Sequence, residues 1–208
     1  MCGCINMEIR LERRTDYKEV ELLIREAFWN IYRPGCYEHY IVHNLRHDSS
    51  FINQLDYVIE NEGKIIAQIV YSSNWIYDDD KKIKEVVTLG PVCVHPEYQR
   101  QGYGTKLIEF TLYEAQKLDI PLVFAVGDEK FYERFGFEEA SKHGIQFNNL
   151  TCETPFFMVK IFDEEEINSL SGIYKDNECF NVDLEELDKF DEKFPPKQKE
   201  KREGQLDF

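Results

Sequence analysis

Residues 86 to 106, VVTLGPVCVHPEYQRQGYGTK, constrain the fold more than any other part of the chain. The first nine residues are apolar enough for a strand buried on both faces of a sheet. Yet Gly90–Pro91 stands inside that run. Proline removes a ladder donor and glycine commonly marks a bulge, so strand pairing is expected to break there. Backbone groups of Val92, Cys93 and Val94 would then lack a full set of protein partners. A ligand bearing amides would complete them as a surrogate strand. The plain alternative is a strand that begins at Val92.

The same stretch then turns helical behind Arg100, Gly102 and Gly104. A helix start leaves N–H groups unpaired and carries partial positive charge, which makes it an anion site. The two glycines have no side chains to block a phosphate, and Arg100 adds formal charge. The turn therefore reads as a phosphate cradle with pyrophosphate as its natural guest; otherwise it is an ordinary helix start. Gly102 and Gly104 give only GxG, without the third glycine of a dinucleotide fingerprint. GYGTK also lacks P-loop spacing, which argues against ATP or GTP.

Around this stretch, MEIRLERR alternates as a first strand, and residues 15 to 32 carry Val20, Leu23, Ile24, Ala27, Phe28 and Ile31 at helical spacing behind Thr15 or Asp16 as cap. Residues 33 to 55 form a loop with a short helix near YEHYIVHNLR. Two strands follow about a tight turn at Asn61 to Gly63. Beyond the Gly-containing turn, Leu107, Ile108, Leu112, Ala115 and Leu118 make one helical stripe. IPLVFAV is a buried strand, DEKFYERF a short helix, and further strands end in FFMVKIF. This order predicts an α/β or α+β domain with a mixed sheet over residues 7–162. Residues 163–208 are strongly charged, but Val182, Leu184, Leu187, Phe190 and Phe194 predict an amphipathic helix stopped at Pro195–Pro196. That acidic arm is expected to dock on the domain or on a second copy in a homodimer, with the last ten or so residues disordered.

A 208-residue chain accommodates one core domain and an appendage. A formal charge of −15 argues against nucleic acid and membrane surfaces as partners and is compatible with amine substrates. Cys2, Cys4, Cys36, Cys93, Cys152 and Cys179 have no metal-ribbon or disulfide-framework spacing, so reduced thiols, a cytoplasmic location and no metal are expected. Residues 1–6 read as a flexible leader.

Gln99, Gly102 and Gly104 fit the Q/R-x-x-G-x-G/A signature of GNAT-superfamily N-acetyltransferases. VCVHPEY resembles that superfamily's strand end, and LVFAVGDEKFYERFGF its next strand and Tyr-bearing helix. The resemblance covers roughly residues 7 to 162. VGDEKFYERFGF and the tail DLEELDKFDEKFPPK are similar to one bacterial branch of predicted acetyltransferases. The resemblance implies a mixed, mostly antiparallel sheet with a splayed central strand pair, flanked by helices. It also implies an acetyl-CoA co-substrate. Pantetheine amides would pair with Val92, Cys93 and Val94, and the pyrophosphate would lie on Gln99, Arg100, Gln101, Gly102, Tyr103, Gly104 and Thr105.

By the same resemblance Tyr132 is the acid that protonates the departing thiolate, and the Val94 N–H an oxyanion donor. Many relatives carry a glutamate before the bulge. Counting back from Gln99 reaches Thr88, which is no carboxylate, and Glu85 falls on the opposite face. Glu38 and His39 are the remaining candidates for the base. Trp29, Tyr32, Tyr37, Tyr40 and Trp75 are candidates for an aromatic wall around an amine. The function expected is direct acetyl transfer to a primary amine of a small molecule or protein. The alternative is a non-catalytic acyl-CoA sensor or interaction module, and a nucleotide-phosphate enzyme is a third reading.

Overall fold

The computed structural model describes residues 7–148, 150 and 152–205. Cys2, Cys4 and the leader assigned to residues 1–6 lie outside them. In chain order the elements are β1 (Met7–Leu11), α1 (Tyr17–Phe28), α2 (Glu38–Leu45), β2 (Tyr57–Asn61), β3 (Lys64–Asp78), β4 (Lys81–Val94) and α3 (Tyr103–Lys117). Then come β5 (Leu122–Val126), α4 (Glu129–Glu133), β6 (Phe137–Glu139), β7 (Ile145–Phe147), β8 (Phe157–Ile161), α5 (Glu164–Asn168), β9 (Gly172–Lys175) and α6 (Leu184–Asp191). The strands form one sheet in the order β1-β2-β3-β4-β5-β8-β6, with β9 added to β3 and β7 to β9. Pairing is antiparallel except between β4 and β5 and between β7 and β9. It is the mixed, mostly antiparallel α/β architecture expected from the sequence.

Local chemistry explains the turns. Glu62 and Gly63 both take positive φ, 53° and 80°, as a two-residue hairpin demands, and the β2–β3 hairpin closes there. Helix α1 ends at Phe28, before Ile31, because Asn30 turns left-handed at φ 58°. Its cap differs too. Asp16 makes no side-chain cap bond and instead accepts from Arg10 Nη1 (2.6 Å) and the Arg13 N–H (2.8 Å).

Helices cover both faces of the sheet. On one face Leu107, Ile108, Leu112 and Ala115 of α3 pack on Ile69, Tyr71 and Leu89, joined by Tyr132 and Phe137. Leu118, the last residue of the expected stripe, is 44% exposed because it lies past the helix end. On the other face Val20, Leu23 and Ile24 of α1 and Val42 and Leu45 of α2 pack on Val70 and Cys93.

The boundary read at Phe162 is not where the sheet ends. β9 pairs with β3, and Ile167, Leu170 and Tyr174 enter a core with Phe124 and Phe157. Sequence reading missed β9 because Gly172–Lys175 is only four residues long in a charged stretch. Helix α6 does dock on this chain. Leu187 and Phe190 are buried, and Phe190 and Phe194 ring the imidazole of His39 at 5.4 and 5.3 Å. Part of the end expected to be disordered instead carries contacts: Trp29 Nε1 and Asn30 Nδ2 both donate to the Gln198 carbonyl, at 2.9 and 3.0 Å.

Candidate active site

Strand β4 keeps β3 along its length but loses β5 early. The parallel pairing runs only from Val87↔Val123 to Leu89↔Ala125. Gly90 follows at φ 133°, and Pro91 has no N–H to offer a neighbour. On the β3 side the register slips by one residue between Ile69 and Tyr71 and then resumes, with Ile69↔Val92, Gln68↔Cys93 and Ala67↔Val94. The break expected at Gly90–Pro91 is therefore a bulge toward β3 and a parting from β5.

Which backbone groups face the parting follows from the ladder. His95 N–H donates to the Ile66 carbonyl at 2.8 Å, so His95 and Ile66 form a hydrogen-bonded pair. Antiparallel pairs alternate between bonded and non-bonded. Cys93 is thus bonded to Gln68, whereas Val92 and Val94 turn their N–H and C=O groups away from β3 and into the gap. The expectation that Val92, Cys93 and Val94 act together narrows to Val92 and Val94. Cys93 is also unreactive: burial pushes its thiol up to about 12.

The gap opens next to the start of α3. Arg100 (φ 62°) and Gly102 (φ 87°) both take left-handed backbone on either side of Gln101. Such reversals converge successive N–H groups into an anion-binding concavity. The first intrahelical bond is Lys106 N–H to the Gly102 carbonyl (3.0 Å), and no side chain caps the end. The N–H groups of Tyr103, Gly104 and Thr105 thus have no acceptor within the helix. A Cβ on Gly102 would meet open space, while one on Gly104 would touch Val94 Cγ2 at 3.4 Å. Gly102 keeps the approach clear; Gly104 seats the helix against the strand end.

Side chains of the loop do other work. Gln99 Nε2 donates to the Val94 carbonyl (3.1 Å), and Gln101 Nε2 to the Glu97 carbonyl (3.0 Å). These bonds stitch the loop to the strand end and leave the Val94 N–H as its gap-facing group. Arg100 is exposed and is the formal cation of the loop.

Across the gap, Gly127 follows β5 and admits the ring of Tyr132, which leads from α4 back over the strand end. Phe131 and Phe137 flank that ring at 5.1 and 5.3 Å. Tyr132 is 5% exposed, and burial drives its phenol well above the ordinary tyrosine value. It is held protonated, as an acid must be. No hydrogen bond from any described residue occupies its hydroxyl, in contrast to Tyr71, whose hydroxyl meets Thr111 Oγ1 at 2.9 Å.

The candidates for the base separate. Thr88 is buried and engaged by Asn74 Nδ2 and the Tyr174 hydroxyl, both at 2.9 Å. Glu85 is exposed on the other side of the strand. His39 is fully buried beneath α6, between Asp191 Oδ1 (3.2 Å) and Cys36 Sγ (3.4 Å), and burial lowers its pKa to about 4. It is a docking residue. Glu38 is half-buried at the first turn of α2, and desolvation raises its pKa. The aromatic wall does not assemble: Trp29 and Tyr40 pack against the C-terminal segment, and Trp75 lies far along β3 under Lys82.

Sequence reasoning missed Arg25. It is 1% exposed, bonded to Asp191 through Nε (2.7 Å) and Nη2 (3.1 Å), with its guanidinium 4.1 Å from the Trp29 ring. The only hint in sequence is a charge within α1 next to Ile24.

A mixed sheet that parts at its central parallel pair, beside a helix start stripped of caps, defines the GNAT fold. The crystal structure of YhbS from Escherichia coli in complex with CoA matches it with a TM-score of 0.76 at 24% identity, over 88% of this chain and 96% of that one. A GNAT-family acetyltransferase from Brucella melitensis, solved in complex with acetyl-CoA, matches with a TM-score of 0.68 at 26% identity, over 85% and 99%. In sequence, the acetyltransferase (GNAT) domain model matches residues 53–139. The uncharacterized N-acetyltransferase YhbS of Escherichia coli strain K12 is 27% identical over 175 residues, 84% of this chain and 99% of that protein. In sequence and fold the chain is similar to GNAT-family N-acetyltransferases over most of its length.

Proposed function

We propose that the protein transfers the acetyl group of acetyl-CoA directly to a primary amine. One observation carries this reading: the gap-facing backbone of Val92 and Val94 runs straight into the uncapped start of α3. A ligand with amides at one end and a pyrophosphate at the other satisfies both, and CoA has that order. Both structural relatives named above were solved with CoA or acetyl-CoA. Each backbone N–H given to a charged phosphate oxygen contributes about 1.5–3 kcal/mol.

Chemistry then needs little from the protein. The N–H groups of Val92 and Val94 are the donors available to the developing oxyanion, and the fixed geometry brings amine and thioester together. As the carbon–sulfur bond breaks, the Tyr132 hydroxyl gives its proton to the thiolate. The sequestered Thr88, with no carboxylate in its place, favours a second reading in which the same cradle only senses acyl-CoA. Thiol release from acetyl-CoA with a panel of amines separates the two. Turnover that falls about a hundredfold or more in Tyr132→Phe, with CoA affinity intact, supports catalysis. Binding of CoA without turnover of any amine supports the sensor.

A further inference from the structure

We infer that Asn30 is a positioning residue for the acceptor's side of the gap, and that the C-terminal segment acts on acetyl transfer through it. This rests on the acetyltransferase reading and adds a device that lies outside the CoA cradle. Asn30 is 3% exposed, and each of its four polar groups has a partner. Its N–H donates to the Gly35 carbonyl (2.8 Å) and its Oδ1 accepts the Gly35 N–H (2.8 Å), which closes the α1–α2 loop on itself. The other bonds go to the C-terminal segment. Nδ2 donates to the Gln198 carbonyl (3.0 Å), Oδ1 also accepts the Glu200 N–H (3.0 Å), and the Asn30 carbonyl accepts Gln205 Nε2 (3.0 Å). One side chain thus shapes the loop and receives the segment that crosses it. Asparagine suits both tasks: it tolerates the left-handed φ of 58°, and its amide donates as well as accepts.

Charge holds the segment as well. Residues 193–202 carry Lys193, Lys197, Lys199, Lys201 and Arg202 against the single carboxylate of Glu200, in a chain of formal charge −15. Lys197 Nζ meets Glu26 of α1 and Lys199 Nζ meets Asp188 of α6, both at 2.6 Å. The stem of Lys199 lies on Gly35, where a Cβ would touch it at 3.4 Å. Elsewhere the fit is loose: a cavity of about 190 Å³, lined by Trp29, Tyr37, Leu187 and Asp191 among others, lies between the loop and α6. The hold on the loop therefore falls on the bonds at Trp29 and Asn30 and on two solvent-accessible ion pairs.

The loop reaches the reaction through packing. Ala27 and Phe28, the last residues of α1, and Val42 and Leu45 of α2 belong to the cluster that contains Cys93. Cys93 stands between the two gap-facing valines, so the helices joined by this loop roof the gap on the face opposite α3. CoA comes to the gap from the start of α3. The acceptor is left the other side, and a displaced loop alters its fit without touching the cradle.

Asn30→Gly in the full chain tests this, because glycine keeps the left-handed backbone and removes every side-chain bond. Hydrogen exchange of amides 29–37 and alkylation of Cys93 by iodoacetamide, both read by mass spectrometry, should speed up by about tenfold, the factor for one lost hydrogen bond. Acetyl-CoA affinity by calorimetry should hold within about twofold. With n-butylamine and spermidine as probes, the amine KM should rise by about tenfold with kcat little changed, and Asn30→Asp, which keeps both acceptor bonds, should recover part of the loss. Lys197→Glu/Lys199→Glu sets like charges against Glu26 and Asp188 and should give the same pattern from the segment's side. Exchange and alkylation at wild-type rates in Asn30→Gly overturn the positioning role, as does an acetyl-CoA affinity that falls in step with them. Wild-type loop exchange in the charge-reversed variant overturns the part given to the C-terminal segment. A wild-type protein that binds no acetyl-CoA is a separate failure: it removes the acetyltransferase reading, while exchange and alkylation still decide whether the segment holds the loop.

Discussion

A Cβ on Gly127 would lie 2.7 Å from Tyr132 Cε2, closer than two such atoms can sit. Gly127→Ala should therefore push the phenol out of line at a cost of about 1–3 kcal/mol in stability. Thiol release should fall while CoA affinity holds, read by comparing turnover with calorimetry on one preparation. His39 gives a second residue-level expectation. Its folded pKa lies near 4 against an ordinary 6.5, so the unfolded chain binds the proton first as pH falls. Stability is full above pH 6.5 and drops by roughly 3 kcal/mol on the way to pH 4. Asp191, held low through Arg25, loses its own contribution only below the ordinary carboxylate value. Denaturant midpoints against pH should show the His39 slope in wild type and its absence in His39→Gln.

The first turn of α3 depends on Gly102 adopting φ 87° in open space, so the demand there is conformational, not steric. Gly102→Ala should cost about 1 kcal/mol of stability through the left-handed backbone. CoA affinity, measured where the variant is fully folded, should also drop, because the added methyl stands in the anion's approach. This turn, the Gly90–Pro91 break and the α3 stripe were legible in the sequence, since glycine, proline and apolar periodicity act locally. The ladder phase was not legible. Whether Val92, Cys93 or Val94 faces the gap depends on the partner strand's register, which no short window of β4 encodes. The same holds for Thr88, Asn74 and Tyr174, which lie in three separate strands and meet only in the fold. Glu38 was visible as a carboxylate, but its half-burial comes from packing.

Across the molecule, the C-terminal segment is held to α1 by an ion pair in a nearly dry site, Arg25–Asp191, besides the Trp29 and Asn30 bonds to Gln198. Arg25 is 1% exposed and has Asp191 as its carboxylate partner. Asp191→Ala strands that cation and should cost about 3–5 kcal/mol in chemical denaturation. Asp191→Asn, which keeps hydrogen bonding to Arg25, should cost less. Charge tells the same story on a larger scale: a chain of formal charge −15 has to bind a phosphorylated ligand through local features, namely Arg100 and backbone N–H groups, not through its overall field. The most direct measurement of that claim is an amide-resolved NMR titration of the labelled protein with CoA. Saturable shifts at Val92, Val94, Tyr103, Gly104 and Thr105, with Cys93 moving least among the β4 residues, are the result the account predicts. A folded protein whose amides stay unmoved by millimolar CoA, or whose shifts gather at Cys93 and spare its two neighbours, would contradict it.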